Sequence, residues 1–94
     1  MIMNFIWDEI KKGTNRKKHG IDFADVPSVF DSPMVTFLDQ RKECGEDRWI
    51  GIGWLGDVLA VVVFTEPDTD TIRIISARKA NRHEQSIYTE EIGN

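Results

Sequence analysis

Very little in this sequence can staple or ligate. Among 94 residues there is one cysteine, Cys44, with two histidines and three prolines. A single cysteine excludes an internal disulfide and suits a reducing compartment, so a cytoplasmic protein is expected. It also lacks the partners of a cysteine-based zinc site, and two separated histidines do not make a metal centre, so no metal or cofactor is expected. Long apolar runs are missing as well. The longest, VLAVVVF from Val58 to Phe64, falls far short of a membrane span. The opening MIMNFIWDEI has no basic n-region and does not read as a signal peptide. Positive charge is in deficit: 12 Lys and Arg against 16 Asp and Glu leave a net charge of -4. That balance argues against bulk attraction to nucleic acid. No internal repeat, low-complexity segment or linker is present.

What is there is an ordinary globular composition, 40% hydrophobic and 30% charged, with three Trp and five Phe for a core. The length suits one domain over residues 1–94. Asp8 is placed to cap a helix running to about His19, with Gly20 as its stop. Asp22 opens a second short helix toward Phe30, with Phe23, Val26, Val29 and Phe30 at helical spacing. Pro27 lies deep in that segment and kinks it or delays its start. Four strand signals follow: Met34–Asp39, Trp49–Trp54, Val58–Thr65 and Thr71–Ser76. Gly56-Asp57 and Pro67–Asp70 mark turns between them. Asn81 with Glu84 reads as a capping box for a last helix to about Glu91. The expected architecture is α+β: two N-terminal helices, a four-stranded antiparallel sheet and a C-terminal helix, with the helices on one face.

The charges are unevenly distributed. KKGTNRKKH, Lys11 to His19, carries only positive charge, and RIISARKANRH, Arg73 to His83, has no carboxylate. Arg73 lies within the last strand, Arg78 follows it, and Arg48 opens the second strand. Depending on register, Arg48 and Arg73 share a sheet face with Arg78 at its end. Clustered guanidiniums repel unless an anion joins them, and their forks match phosphate oxygens. The simpler reading pairs them with Glu46, Asp47 or Glu84. Glu46, beside Arg48 in GEDR, is either a general base or a loop ion pair. His19 is either a helix-end dipole partner or an acid–base group. His83 sits in the first turn of the last helix, where a surface role is the default. Lys12, Arg16 and His19 share one side of the first helix, either as a solvated face or as a phosphate-tracking one. Lys79 adds to the charge beside Arg78.

Five pieces carry a resemblance: FIWDEIKK at Phe5–Lys12, NRKKHGIDF at Asn15–Phe23, VFDSP at Val29–Pro33, GEDRWIGIG at Gly45–Gly53 and IRIISARKA at Ile72–Ala80. Taken in order, with Glu84 and Tyr88 after them, they resemble the BrnT family of RelE-like ribonuclease toxins from type II toxin–antitoxin pairs. Pro27 departs from the helix-friendly residues usual at its position. The resemblance implies an RNA-cleaving toxin neutralised by a BrnA-like antitoxin with a ribbon-helix-helix domain. It implies operator DNA bound mainly through that antitoxin, and no membrane partner. The expected chemistry is metal-independent attack of a ribose 2′-hydroxyl on its own phosphate. Arg78 and Arg48 are the expected phosphate ligands, Arg73 a supporting cation, and Glu46 or His19 the proton-transfer group. Lys12, Arg16, Lys79 and His83 are the expected RNA contacts. The alternative is a non-catalytic module that grips RNA or a partner through the same corner.

Overall fold

A computed structural model describes residues 3–39 and 47–93, leaving Cys44 and Glu46 outside the described residues. In chain order its elements are β1 (Asn4–Trp7), α1 (Glu9–His19), a 3-10 helix (Phe23–Asp31), β2 (Val35–Leu38), β3 (Trp49–Leu55), β4 (Val58–Asp68), β5 (Thr71–Lys79) and α2 (Arg82–Tyr88), which runs on into a π turn (Thr89–Gly93). The α+β class holds, but the sheet is five-stranded and mixed, in the order β1-β5-β4-β3-β2. The unexpected strand is β1, which pairs parallel with β5, Asn4 to Thr71 through Trp7 to Ile74. Phe5 and Ile6 read from sequence as anchors ahead of a helix. Four residues pairing with a strand at the other end of the chain leave no local signal. No helix among the described residues is long and apolar enough to cross a membrane.

The second N-terminal helix is a 3-10 helix, and two features of its sequence explain why. Pro27 lacks the N–H that an α-helix needs there, and its ring opposes the carbonyl four residues back. Phe23, Val26 and Val29, all fully buried, recur every three residues, which stacks them on one side at three residues per turn. Burying each stabilises the fold by about 1.5–3 kcal/mol. They pack with Val62, Phe64, Ile72 and Ile74 on one face of the sheet. Gly51 and Gly53 make room for this packing. A Cβ on Gly53 would lie 2.9 Å from Val29 Cγ1 and 3.1 Å from Met34 Cγ.

Contrary to the expectation from the sequence, the helices do not share one face. Tyr88 of α2 packs with Ile52 and Val61 on the face opposite the 3-10 helix, its hydroxyl donating to Pro33 O at 3.1 Å. The start of α2 is tied down twice. Asn81 and Glu84 form the expected capping box, each side chain accepting from the other's backbone N–H at 2.8 Å. Arg78 at the end of β5 then grips the same carboxylate with both terminal nitrogens, at 2.8 and 2.6 Å. The guanidinium of Arg78, with help from the Asn81 N–H, holds the Glu84 carboxyl below its ordinary 4.5, against the opposing effect of burial.

On the other side of the molecule, α1 is seated by one buried side chain. Asp8 caps the helix, accepting from the Ile10 and Lys11 N–H groups at 2.8 and 3.2 Å. Gly20 ends it in the left-handed region at φ 75°. Between these ends the Asn15 carboxamide receives the Ala77 N–H at 3.1 Å, donates to Ala77 O at 2.9 Å and donates to Ile21 O at 3.0 Å. β1 has already ended at Trp7, opposite Ile74. The Asn15 amide therefore takes the place of the missing strand along the next stretch of β5.

Two outcomes follow from these ties. Asn15→Leu orphans three buried backbone groups, each costing about 1–3 kcal/mol, so it destabilises the protein by several kcal/mol in urea denaturation. A change within about 0.5 kcal/mol contradicts the strand-replacing role. For the Arg78–Glu84 pair, a lowered folded-state carboxyl pKa contributes stability above the ordinary carboxylate value and loses it as pH falls through the lowered one. Wild type should melt above Glu84→Gln at neutral pH, with the gap closing below about pH 4. A gap that persists through acid rules out the ion pair as its source.

Candidate active site

A β-bulge decides which arginines meet. Val63 pairs with Ser76 but Phe64 pairs with Ile74, leaving Ile75 as the extra residue on β5. Strict alternation would turn Arg73 and Arg78 to opposite faces. One inserted residue reverses the phase, so both stand across from odd-numbered β4 residues, Arg73 opposite Thr65 and Arg78 opposite Val61. Ser76 thereby joins the face of Arg73, whereas unbroken alternation puts it on the other.

The β2–β3 ladder brings in Arg48. Asp39 N–H donates to Arg48 O at 2.8 Å, one step beyond the Leu38–Trp49 pair. Arg48 then falls one step beyond Trp49–Phe64, next to Thr65. A row crosses the sheet through Asp39, Arg48, Thr65, Arg73 and Ile6. The apolar contacts of α2 lie at the Ile52–Val61 end of this face, and no helix among the described residues packs over the arginine row. Thr65 is only 3% exposed, and its hydroxyl is the one buried side-chain polar atom among the described residues without a hydrogen-bond partner. Buried hydroxyls are normally satisfied, and this one lies between two arginine positions.

The remaining expected residues divide. Arg78 lies four β4 residues from the row, roughly 13 Å along the strand, and is committed to Glu84. The ion-pair reading thus describes its geometry. Lys12, on the expected basic side of α1, pairs with Asp22 at 3.4 Å. The Ala24 N–H first, and then Lys12 and Arg16, hold the Asp22 carboxyl below its usual range. That flank faces the cap of the 3-10 helix, and His19 and Arg16 follow it in helical phase, away from the row. Lys79 ends β5 opposite Ala60 and is exposed, and His83 is exposed in the first turn of α2. Glu46 lies outside the described residues. Among those described, no three His, Cys, Asp or Glu side chains gather as a metal site. Sequence spacing did not single out Asp39, Thr65 or Lys11. Only the ladder register reveals the first two, and Lys11 lines a cleft with Arg73.

The family profile described as ribonuclease toxin, BrnT, of type II toxin–antitoxin system matches residues 7–84. No curated protein matches the chain. The crystal structure of the Brucella abortus ribonuclease toxin BrnT is similar at 35% identity, covering 85% of this chain and 99% of that one, with a TM-score of 0.69. The chain belongs to the BrnT family of ribonuclease toxins of type II toxin–antitoxin systems.

Proposed function

We propose that the ribonuclease chemistry takes place on the Arg48–Thr65–Arg73 row and needs no metal ion. The observation that carries this reading is the register, which aligns two arginine positions from separate strands at an end of the sheet that no helix among the described residues covers. A 2′-hydroxyl oxygen forms a bond to the adjacent phosphorus, and the bond from phosphorus to the 5′-oxygen breaks. The hydroxyl proton passes to a base and the leaving oxygen gains one. The products are a 2′,3′-cyclic phosphate and a 5′-hydroxyl. Negative charge builds on the phosphate oxygens as the new bond forms. Fixed guanidinium donors stabilise that charge more in the transition state than in the substrate. The buried Thr65 hydroxyl gains an acceptor when a phosphate enters the row. Asp39 lies across the ladder from Arg48, and Glu46 lies two residues upstream in sequence, past Asp47. The proton-transfer role falls to one of this pair, whereas His19 serves the end of α1. Arg78 acts through Glu84, holding α2 against the sheet.

A toxin of this class is partnered by an antitoxin. We assign a BrnA-like ribbon-helix-helix protein to that role, with operator DNA reached through it and the cytoplasm as the site of action. A net charge of -4 suits a toxin whose nucleic-acid contact is local.

Purified protein incubated with RNA in EDTA should yield fragments ending in 2′,3′-cyclic or 3′-phosphate. Arg73→Ala should lower the rate about 10²–10³-fold with little change in melting temperature. Arg78→Ala should instead lower stability by about 1–2 kcal/mol, a partly exposed pair being worth less than a buried one. Asp39→Asn and Glu46→Gln, assayed separately, identify the base. RNA that is bound but left uncut would make the protein a gripping module and sink the catalytic reading.

A further inference from the structure

Where β1 stops and β5 continues, the surface opens into a cleft of about 290 Å³ lined by Ile6, Trp7, Asp8, Lys11, Arg73 and the bulge residue Ile75. Its composition is not that of a solvated edge. Two cations reach it from different elements, Lys11 from α1 and Arg73 from β5. The carboxylate present, Asp8, spends one oxygen on the Ile10 and Lys11 N–H groups as the helix cap. Ile6 is 40% exposed there, one of the few large apolar side chains left in water, and the bulge supplies Ile75. Apolar surface beside paired cations is the pattern that takes a nucleotide, the base on the carbon surface and the phosphate on the charges.

We infer that this cleft binds the nucleotide adjoining the scissile phosphate, with Lys11 as the ligand of its phosphate. The inference rests on the arginine row as the cleavage site, since Arg73 belongs to both and fixes their adjacency. RNA then leaves the row over the end of β1 toward the Lys11 flank of α1. The flank that carries Lys12 and Arg16 faces the 3-10 helix cap instead. Lys18, seven residues on from Lys11, extends the same flank by two helical turns.

The test uses an RNA oligonucleotide methylated at every 2′-oxygen, which binds but has no attacking hydroxyl. Its affinity is measured by fluorescence anisotropy across a salt series. Lys11→Gln should weaken binding and lower the slope of log affinity against log salt by about 0.7, one phosphate contact on a single strand. Ile6→Ala should weaken binding with the slope unchanged, because it removes no charge. Lys17→Gln, on the far side of α1, should behave as wild type. With cleavable RNA, Lys11→Gln should raise KM and leave kcat within about twofold, since it removes binding shared by substrate and transition state. Wild-type affinity and slope in Lys11→Gln overturn the subsite, and so does an equal loss in Lys17→Gln. Lys11-dependent binding by a protein that never cuts RNA supports the subsite and removes the catalytic reading, so the two fail separately.

Discussion

One buried amide holds the two halves of this protein in register. β5 is longer than its parallel partner β1, and beyond Ile74 its outer edge would present bare N–H and C=O groups. The Asn15 side chain has the donor and acceptor of a peptide group in nearly the same spacing, and it takes both groups of Ala77. Its second donor hydrogen holds Ile21 O and so fixes the turn over Gly20. A hydrophobic side chain at this point would fill space but leave three polar groups without partners. The seating of α1, the direction in which Lys11 and Lys12 diverge, and the shape of the cleft at the end of β1 all follow from that contact.

The second organising device is the bulge at Ile75. A sheet with strict alternation would split the cations of β5 between the core-facing side and the open side. The extra residue keeps Ile72, Ile74 and Ala77 in one core cluster while Arg73, Ser76 and Arg78 fall on the opposite face. The two arginines then serve different ends. Arg78 is neutralised by Glu84, which also caps α2, so one carboxylate joins helix start to strand end. Arg73 stands across from the buried Thr65 hydroxyl, which has no hydrogen-bond partner, and the position of Arg48 lies on the other side of that strand. Under the function proposed above, this arrangement reconciles an acidic chain with RNA cleavage: the attraction is confined to one sheet end, where phosphate is the matching anion.

Much of the chain was legible before its fold. Asp8 and Gly20 bound α1, Gly56 turns the β3–β4 hairpin, and Asn81 with Glu84 opens α2, because caps and turns are chosen by backbone groups within four residues of one another. The order of the quoted motifs was enough to indicate the family. Alternation alone puts Gly51 and Gly53 on one face of β3, but their purpose, close approach of Val29 and Met34, shows only in the fold. The spacing of Phe23, Val26 and Val29 fits both a helix with 3.6 residues per turn and one with three, and Pro27 tips the balance.

By itself, then, the sequence determined the α+β class, most cap and turn positions and the family, since each depends on local chemistry or on the residue string, but not the buried set, for Phe37 and Trp54 stand 40% and 41% exposed. Only the tertiary structure decided that β1 exists, that α2 packs opposite the 3-10 helix, and that Arg48, Thr65 and Arg73 stand in one row while Arg78 is bound elsewhere. These depend on strand register and on a single bulge. Shifting either by one residue turns every later side chain to the other face, and neither leaves a trace in local spacing.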